Sequence, residues 1–322
     1  MLNKLLTFFV VFSLSGSCYS YSQGLKRDIN AHDPVMIQRD GTFYLYCTGR
    51  GITVWSSKDR INWKSEPSVF ASPPNWAVTA VPGFTGYIWA PDISFYKGQY
   101  YLYYTVSTFG KNTSAIGVAT NLSLDPSSPS YKWADHGMVI QSEAGKNNWN
   151  AIDPNVVSDK KGNAYLSFGS FWDGIKLVRL SADRLNLSDS LTDVPTIAAR
   201  GNKTNAIEAP FIYKKGSYFY LFASIDFCCR GKESTYKMIV GRAKKITGPF
   251  LDDKGQSLKE GGGKLVLAGN SDWYGVGHNA VANFDNKDYL IFHGYSAAKN
   301  GAPKLLIREL RWENAWPVSS VL

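Results

Sequence analysis

The chain is poor in the residues that most readily build metal and redox chemistry: its 322 residues hold four cysteines and four histidines. No C-x-x-C pair occurs, which excludes a cysteine-built zinc or iron–sulfur site. Long apolar runs are scarce as well. The stretch at residues 5–14 (LLTFFVVFSL) is half the length of about 20 residues that a bilayer core of about 30 Å demands, and no other segment is long and apolar enough to span. Helical periodicity is missing, with no pattern of apolar positions at three and four residues persisting over ten residues beyond that run. Basic residues outnumber acidic ones, 35 to 26, for a formal charge of +9. They are scattered, and no helix-turn-helix, zinc finger or RNP-type motif accompanies them, so nucleic-acid binding is not expected. A basic chain suits an acidic polysaccharide environment equally well.

The beginning of the chain has the form of a secretory leader. Lys4 precedes the apolar run, and Ser15, Gly16, Ser17 and Ser20 supply small residues after it. Residues 1–20 are therefore expected to be a signal peptide. The mature protein is expected to be secreted, whether extracellular or periplasmic, and to act as a monomer. Cys18 raises a lipid-anchor alternative, but Ser15 stands where an aliphatic residue is usual. Cys47, Cys228 and Cys229 remain. The adjacent pair is either a vicinal disulfide or two thiols on opposite faces of a strand. Four N-x-S/T acceptors, at Asn112, Asn121, Asn186 and Asn202, matter only in a glycosylating host.

What the chain has in quantity is aromatic side chains, 10 Trp, 19 Tyr and 17 Phe, arranged in a fivefold repeat. One unit reads as a polar residue, usually a proline, an apolar strand, a tight turn and an aromatic strand. The first copy is His32-Asp33-Pro34-Val35-Met36-Ile37, a turn at Asp40-Gly41, then Phe43-Tyr44-Leu45-Tyr46. Later copies start at Trp89-Ala90-Pro91-Asp92, Ile152-Asp153-Pro154-Asn155, Ile207-Glu208-Ala209-Pro210 and Gly277-His278-Asn279-Ala280. A third strand follows each, for example Ala115-Ile116-Gly117-Val118. The prolines are spaced by 57, 63 and 56 residues. Short strands joined by Gly-containing hairpins form antiparallel sheets, and five alike sheets bury their faces by packing radially. The fold expected is all-β, a five-bladed β-propeller in a single domain over residues 24–322. A two-sheet sandwich explains units this long and this similar less well.

The repeats break their own pattern at one place. In a propeller the first strand of each blade lines the central channel, so the starts of these strands converge. They carry Asp33, Trp89, Asp153, Glu208 and His278. Each acid alone reads as a turn or strand cap. Three carboxylates converging with an imidazole and an indole suit glycoside hydrolysis, where one carboxylate activates water and one carboxyl protonates the leaving oxygen. A third negative group raises the acid's pKa toward working pH. A sugar-binding propeller without catalysis has no need of three convergent acids.

These segments, together with Asn150-Ala151-Ile152-Asp153-Pro154, Ser170-Phe171-Trp172 and Gly277-His278-Asn279, resemble glycoside hydrolase family 43, above all its endo-1,5-α-L-arabinanases. The resemblance covers nearly the whole chain beyond the leader. It implies cleavage of internal linkages of arabinan with inversion, Asp33 as general base, Glu208 as general acid and Asp153 as the residue that tunes and orients the acid. It further implies sugar contacts from Trp89, Ser170, Phe171 and Trp172, with Gly117 and Asn150 lining the cleft. His278 would hold a metal ion, commonly calcium with water as its other ligands. Read from the residue alone, His278 is a hydrogen-bonded channel residue, because calcium prefers several oxygens. The resemblance also supports the Cys228-Cys229 pair, which relatives carry before a glycine. Exo-acting relatives, α-L-arabinofuranosidases and β-xylosidases, share the same trio of acids. Those acting on xylosides often carry a further β-sandwich, whereas this chain ends barely past the fifth repeat, which favours the endo mode.

Overall fold

A computed structural model describes residues 25–188, 194–320 and 322. The expected leader, with Cys18, lies outside these residues. Among the described residues no helix is long and apolar enough to cross a membrane.

Five antiparallel sheets follow one another along the chain. Blade I is Val35–Arg39, Thr42–Cys47, Thr53–Ser57 and Lys64–Glu66. Blade II is Tyr87–Tyr96, Gln99–Val106, Ser114–Asn121 and Ala134–Ser142, with the short strand Gly49–Arg50 added at its inner edge. Blade III comprises Asn155–Ser158, Ala164–Phe168, Ile175–Arg179 and Thr196–Ala198. Blade IV comprises Ile207–Lys215, Tyr218–Ile225, Lys237–Ala243 and Lys264–Ala268, and blade V Trp273–Phe284, Lys287–Ser296, Ala302–Glu313 and Trp316–Ser319. The first strands of neighbouring blades touch in succession from I to V, and that of V touches that of I, so the ring is closed. This is the expected five-bladed β-propeller.

Local chemistry explains the hairpins. Asp40-Gly41, Lys97-Gly98 and Asp285-Asn286 all take positive φ at both central residues, the condition for a turn whose twist matches its flanking strands. The second strand of each blade is largely buried on both faces, which is why it reads as a mostly apolar, aromatic-rich run rather than an alternating one. In blade II, Tyr100, Leu102 and Tyr104 pack toward blade I, while Tyr101 and Tyr103 pack toward blade III. Blade IV divides likewise, Phe219, Leu221 and Ala223 facing blade III and Tyr220 and Phe222 facing blade V. The core is thus a set of wedges between blades. At about 25 cal/mol per Å² of apolar surface, these wedges dominate the favourable side of folding.

The ring is fastened by the chain preceding blade I. Ala31 donates to the Pro303 carbonyl, Leu305 donates to that of Ile29, and Lys304 pairs with Asp28 at 3.0 Å. Residues 29–31 therefore lie along the third strand of blade V where its fourth strand leaves the edge free. Covering that edge also protects it from pairing with another chain.

Candidate active site

Each first strand has, two residues before its equivalent ladder position, a residue in the left-handed region: Asp33 (φ 49°), Ala90 (43°), Asp153 (58°), Ala209 (53°) and His278 (52°). These five share one register. Their strand partners two residues on are Tyr46, Tyr103, Ser167, Phe222 and Ile291, which are themselves equivalent. Trp89 and Glu208 stand one residue earlier, so the five starts form two adjacent rows rather than the single row the sequence suggests. In blades II, IV and V the ladder slips at this point, between Trp89 and Asp92, Glu208 and Phe211, and Gly277 and Ala280. Such bulges re-aim side chains out of the sheet and into a channel.

The strained backbone is held by a ring of hydrogen bonds. Asp33 N–H donates to His293 Nδ1 (3.1 Å), Ala90 N–H to Thr48 Oγ1 (2.8 Å), Asp153 N–H to Thr105 Oγ1 (3.1 Å) and His278 N–H to Ser224 Oγ (2.8 Å). Each acceptor occupies the same place, just past the aromatic run of the preceding blade. In blade III that place is Gly169, which has no side chain. The Ala209 N–H donates instead to Asp153 Oδ2 at 3.0 Å. Asp153 thereby sits beside Glu208 because a glycine leaves the position to it.

Asp33, Asp153 and Glu208 are all buried and line one cavity of about 1050 Å³. Their environments differ. Asp33 Oδ2 accepts from Thr48 Oγ1 (2.5 Å) and His32 Nδ1 (2.9 Å), and its Oδ1 lies 3.0 Å from His278 Nδ1. Burial opposes ionisation of Asp33, but His278 and His32 outweigh it and hold the carboxyl well below the usual carboxylate range. Burial also works against a charged His278, yet Asp33, followed by Asp153 and Glu208, pushes it up to about 9. Asp153 is pushed up to about 8, chiefly by burial, which with the charges of Glu208 and Asp33 outweighs the opposing His278. Burial, aided by Asp33, raises Glu208 too, against hydrogen bonds from Tyr236 Oη (2.9 Å) and Ser170 Oγ (3.0 Å) and the charge of His278. Burial thus favours the protonated form of both Asp153 and Glu208. One carboxylate is held ionised and two neighbouring carboxyls are pushed toward the protonated form, the division that acid–base chemistry needs.

Trp89, Asn150, Ser170, Phe171, Trp172 and His278 line the cavity, as read from the sequence. Ser170 also pairs with the Glu208 strand and donates to its carboxyl. Phe171 and Trp172 are tethered by Asn205, whose Nδ2 donates to the Trp172 carbonyl at 2.7 Å. The buried Oδ1 of Asn150 has no hydrogen-bond partner in the protein, leaving an acceptor available in the cavity. Gly117 lies elsewhere. It sits in the third strand of blade II, where a Cβ would meet Trp76 and Tyr104 at 2.6 Å, so its small size admits that packing rather than a sugar. Cys228 and Cys229 are joined to one another at the cavity wall, and Cys47 is a buried free thiol. Of the four glycan acceptors Asn112 and Asn121 are buried, and Asn186 and Asn202 are exposed. His32, Thr48 and Tyr236 escaped the sequence reading, although His32 stands beside Asp33 in the motif itself.

A metal fits this site only in a restricted way. His32, Asp33 and His293 bring ligand atoms within 4.8 Å of one another. The nitrogens of His32 and His293 are already committed, however, to Asp33 and Tyr295. His278 Nε2 is uncommitted, and the buried amide of Asn279 next to it has neither polar atom satisfied. One free imidazole nitrogen facing the cavity fits an ion whose other ligands are water and does not make an oxygen-rich calcium cage.

A closed ring of five blades with a cluster of buried, oppositely tuned carboxyls in an aromatic-walled cavity defines the class of carbohydrate-cleaving propellers. Residues 28–317 match the model of glycosyl hydrolases family 43, and the chain belongs to that family. It is 47% identical over 315 residues to the extracellular exo-α-(1→5)-L-arabinofuranosidase of Cellvibrio japonicus, covering 93% of this chain and 89% of the relative. It is 46% identical over 290 residues to the extracellular endo-α-(1→5)-L-arabinanase 1 of Bacillus subtilis, covering 89% and 86%. The solved structure of Cellvibrio cellulosa α-L-arabinanase complexed with arabinohexaose superposes with a TM-score of 0.88 at 46% identity, covering 91% of this chain and 96% of that one.

Proposed function

We propose that the protein is a secreted hydrolase of α-1,5-linked arabinan that cuts within the polymer and inverts the anomeric centre. The observation that carries this reading is the division of labour among the three acids. Asp33, held ionised by its histidine and hydroxyl donors, takes a proton from the attacking water. Glu208, its carboxyl raised above the usual range by burial, gives its proton to the departing glycosidic oxygen. Asp153 tunes and orients the acid. Trp89, Phe171 and Trp172 offer rings to the sugars, and Asn150 and Ser170 offer polar atoms. A hydrated cation, calcium by analogy with the family's arabinanases, is assigned to His278, where it would order the channel floor.

The endo mode is supported by the likeness to the Bacillus subtilis endo-arabinanase and by aromatic rings that reach the cavity from three blades, Tyr87 and Phe109 from II, Trp172 from III and Phe227 from IV. Exo action is the second reading, favoured by the likeness to the Cellvibrio japonicus exo-enzyme. Product analysis on linear arabinan, branched arabinan and xylan decides. A ladder of oligosaccharides at early times marks endo action, and a single short product marks exo action. Hydrolysis of xylan alone would overturn the substrate assignment. Proton NMR of the first products is expected to show inversion, and retained configuration would remove Asp33 from the base role.

A further inference from the structure

The vicinal disulfide lies on the cavity wall, apart from the acids, yet one chain of hydrogen bonds joins it to Asp33. Cys229 N–H lies 2.8 Å from Tyr295 Oη, Tyr295 Oη lies 3.0 Å from His32 Nε2, and His32 Nδ1 lies 2.9 Å from Asp33 Oδ2. His293 stacks on His32 at 4.2 Å and reaches the same tyrosine, its Nε2 lying 3.2 Å from Tyr295 Oη.

The direction of every proton in this chain follows from two backbone groups that can only donate. Asp33 N–H points at His293 Nδ1, so that nitrogen is an acceptor and the ring carries its proton on Nε2. His293 Nε2–H and Cys229 N–H then both donate to the Tyr295 oxygen and occupy its lone pairs. The Tyr295 proton is left with two possible acceptors, His32 Nε2 at 3.0 Å and Cys229 Sγ at 3.8 Å, and the nearer imidazole nitrogen is much the stronger. His32 therefore accepts at Nε2 and donates from Nδ1 to Asp33 Oδ2. Thr48 obeys the same logic: its oxygen accepts the Ala90 N–H, so its proton goes to the same carboxylate oxygen. All donors point inward, toward Asp33.

We infer that Tyr295 and His32 are positioning residues for Asp33, and that the Cys228–Cys229 bond is the anchor that keeps the outer end of this chain in place. The inference rests on the reading of Asp33 as general base. Cys229 sits at φ 66°, a left-handed conformation that a side-chain-bearing residue adopts at a cost. The disulfide closes a small ring through the intervening peptide bond and holds that conformation, which aims the Cys229 N–H at Tyr295. Phe227, Cys228, Cys229 and Arg230 all line the cavity, so the same loop that meets the sugar also sets the base.

The test is a double-mutant cycle on linear arabinan oligosaccharides, with kcat and KM measured separately. Tyr295→Phe keeps the buried ring and removes only the hydroxyl. It is expected to lower kcat about tenfold, the worth of one lost hydrogen bond at the base, with KM within about threefold. The pair Cys228→Ser/Cys229→Ser is expected to lower kcat to a similar degree, and the combined variant to be no worse than Tyr295→Phe alone, because both break one chain. Treating the wild type with a dithiol, which takes up the disulfide bond as two thiols and is itself oxidised to a cyclic disulfide, is expected to reproduce the Cys-pair effect without any mutation. Tyr295→Phe should be insensitive to the same treatment. Additive losses, or losses confined to KM, would overturn the inference. Asp33→Asn serves as the separate control: if it stays active, the base assignment itself fails, whatever the cycle shows.

Discussion

Replacing Asp153 by Asn and by Ala separates two jobs that the structure gives to one carboxylate. The first job is electrostatic. Burial, aided by the charges of Glu208 and Asp33, pushes Asp153 up to about 8, and its carboxylate in turn opposes ionisation of Glu208. With Asn at 153 the negative neighbour is gone, and Glu208 stands alone, still raised by burial and by Asp33. Its proton is lost at lower pH than in wild type, so the alkaline limb of the kcat profile moves down. A like charge beside a carboxyl is worth on the order of a tenfold change in proton affinity, so the ratio of activity at pH 8 to that at pH 5.5 should fall about tenfold further in the variant than in wild type. The second job is structural. The Ala209 N–H donates to Asp153 Oδ2, and Gly169 offers no substitute. An Asn oxygen can still accept this bond, so Asp153→Asn should melt close to wild type. Asp153→Ala leaves a buried N–H unpaired at about 1–3 kcal/mol, or a melting point lower by roughly 2–5 °C. The assays are the pH dependence of kcat on linear arabinan and calorimetry of both variants. An unmoved alkaline limb in Asp153→Asn would refute the electrostatic argument, and equal melting points for Asn and Ala would refute the structural one.

Glu208→Gln keeps the acceptors for Tyr236 and Ser170 but cannot donate a proton, so arabinan hydrolysis should fall by about 10²–10⁴ while binding of oligosaccharides, read by calorimetry, stays near wild type. Retention of activity within tenfold would remove Glu208 from the acid role. Thr48→Val preserves shape, strips one donor from Asp33 and orphans the Ala90 N–H; kcat should drop about tenfold and the protein should lose about 1–3 kcal/mol of stability in a denaturant titration. Exhaustive chelation should lower the melting point, and added calcium should restore it, since a ligand bound to the folded state alone stabilises that state. An unchanged melting point with no metal by elemental analysis would leave His278 with hydrogen bonding alone.

The blades were legible because their second strands are buried on both faces. That environment demands aromatic and aliphatic residues at every position, and Phe43-Tyr44-Leu45-Tyr46 or Tyr218-Phe219-Tyr220-Leu221-Phe222 cannot be mistaken for a surface strand. The convergence of Asp33, Asp153 and Glu208 followed from the repeat itself. Ring closure was not legible, because the segment that performs it, residues 29–31, carries no repeat signature and acts through main-chain bonds to Pro303 and Ile29's partner Leu305. Gly117 shows the opposite error. The family resemblance alone placed it in the cleft, whereas the space it leaves is taken by Trp76, from outside the repeat, and by Tyr104.

The row of left-handed residues explains why the role of Asp153 could not be decided from sequence. A strand cap and a tuner of the acid look like alternatives when Asp153 is considered against its own strand, where its N–H is already paired with Thr105. The carboxylate instead caps the neighbouring strand, at the residue directly after Glu208. That arrangement depends on an absence at Gly169, where the other blades place Thr48, Thr105, Ser224 and His293. A hydroxyl there would satisfy the Ala209 N–H and free Asp153 to turn elsewhere. Nor can the position simply be refilled, since a Cβ on Gly169, at φ 128°, would lie 2.5 Å from the Gly174 carbonyl. The missing side chain in a fivefold pattern thus binds the tuning carboxylate to the backbone beside the acid, so that one hydrogen bond fixes where Asp153 stands relative to Glu208.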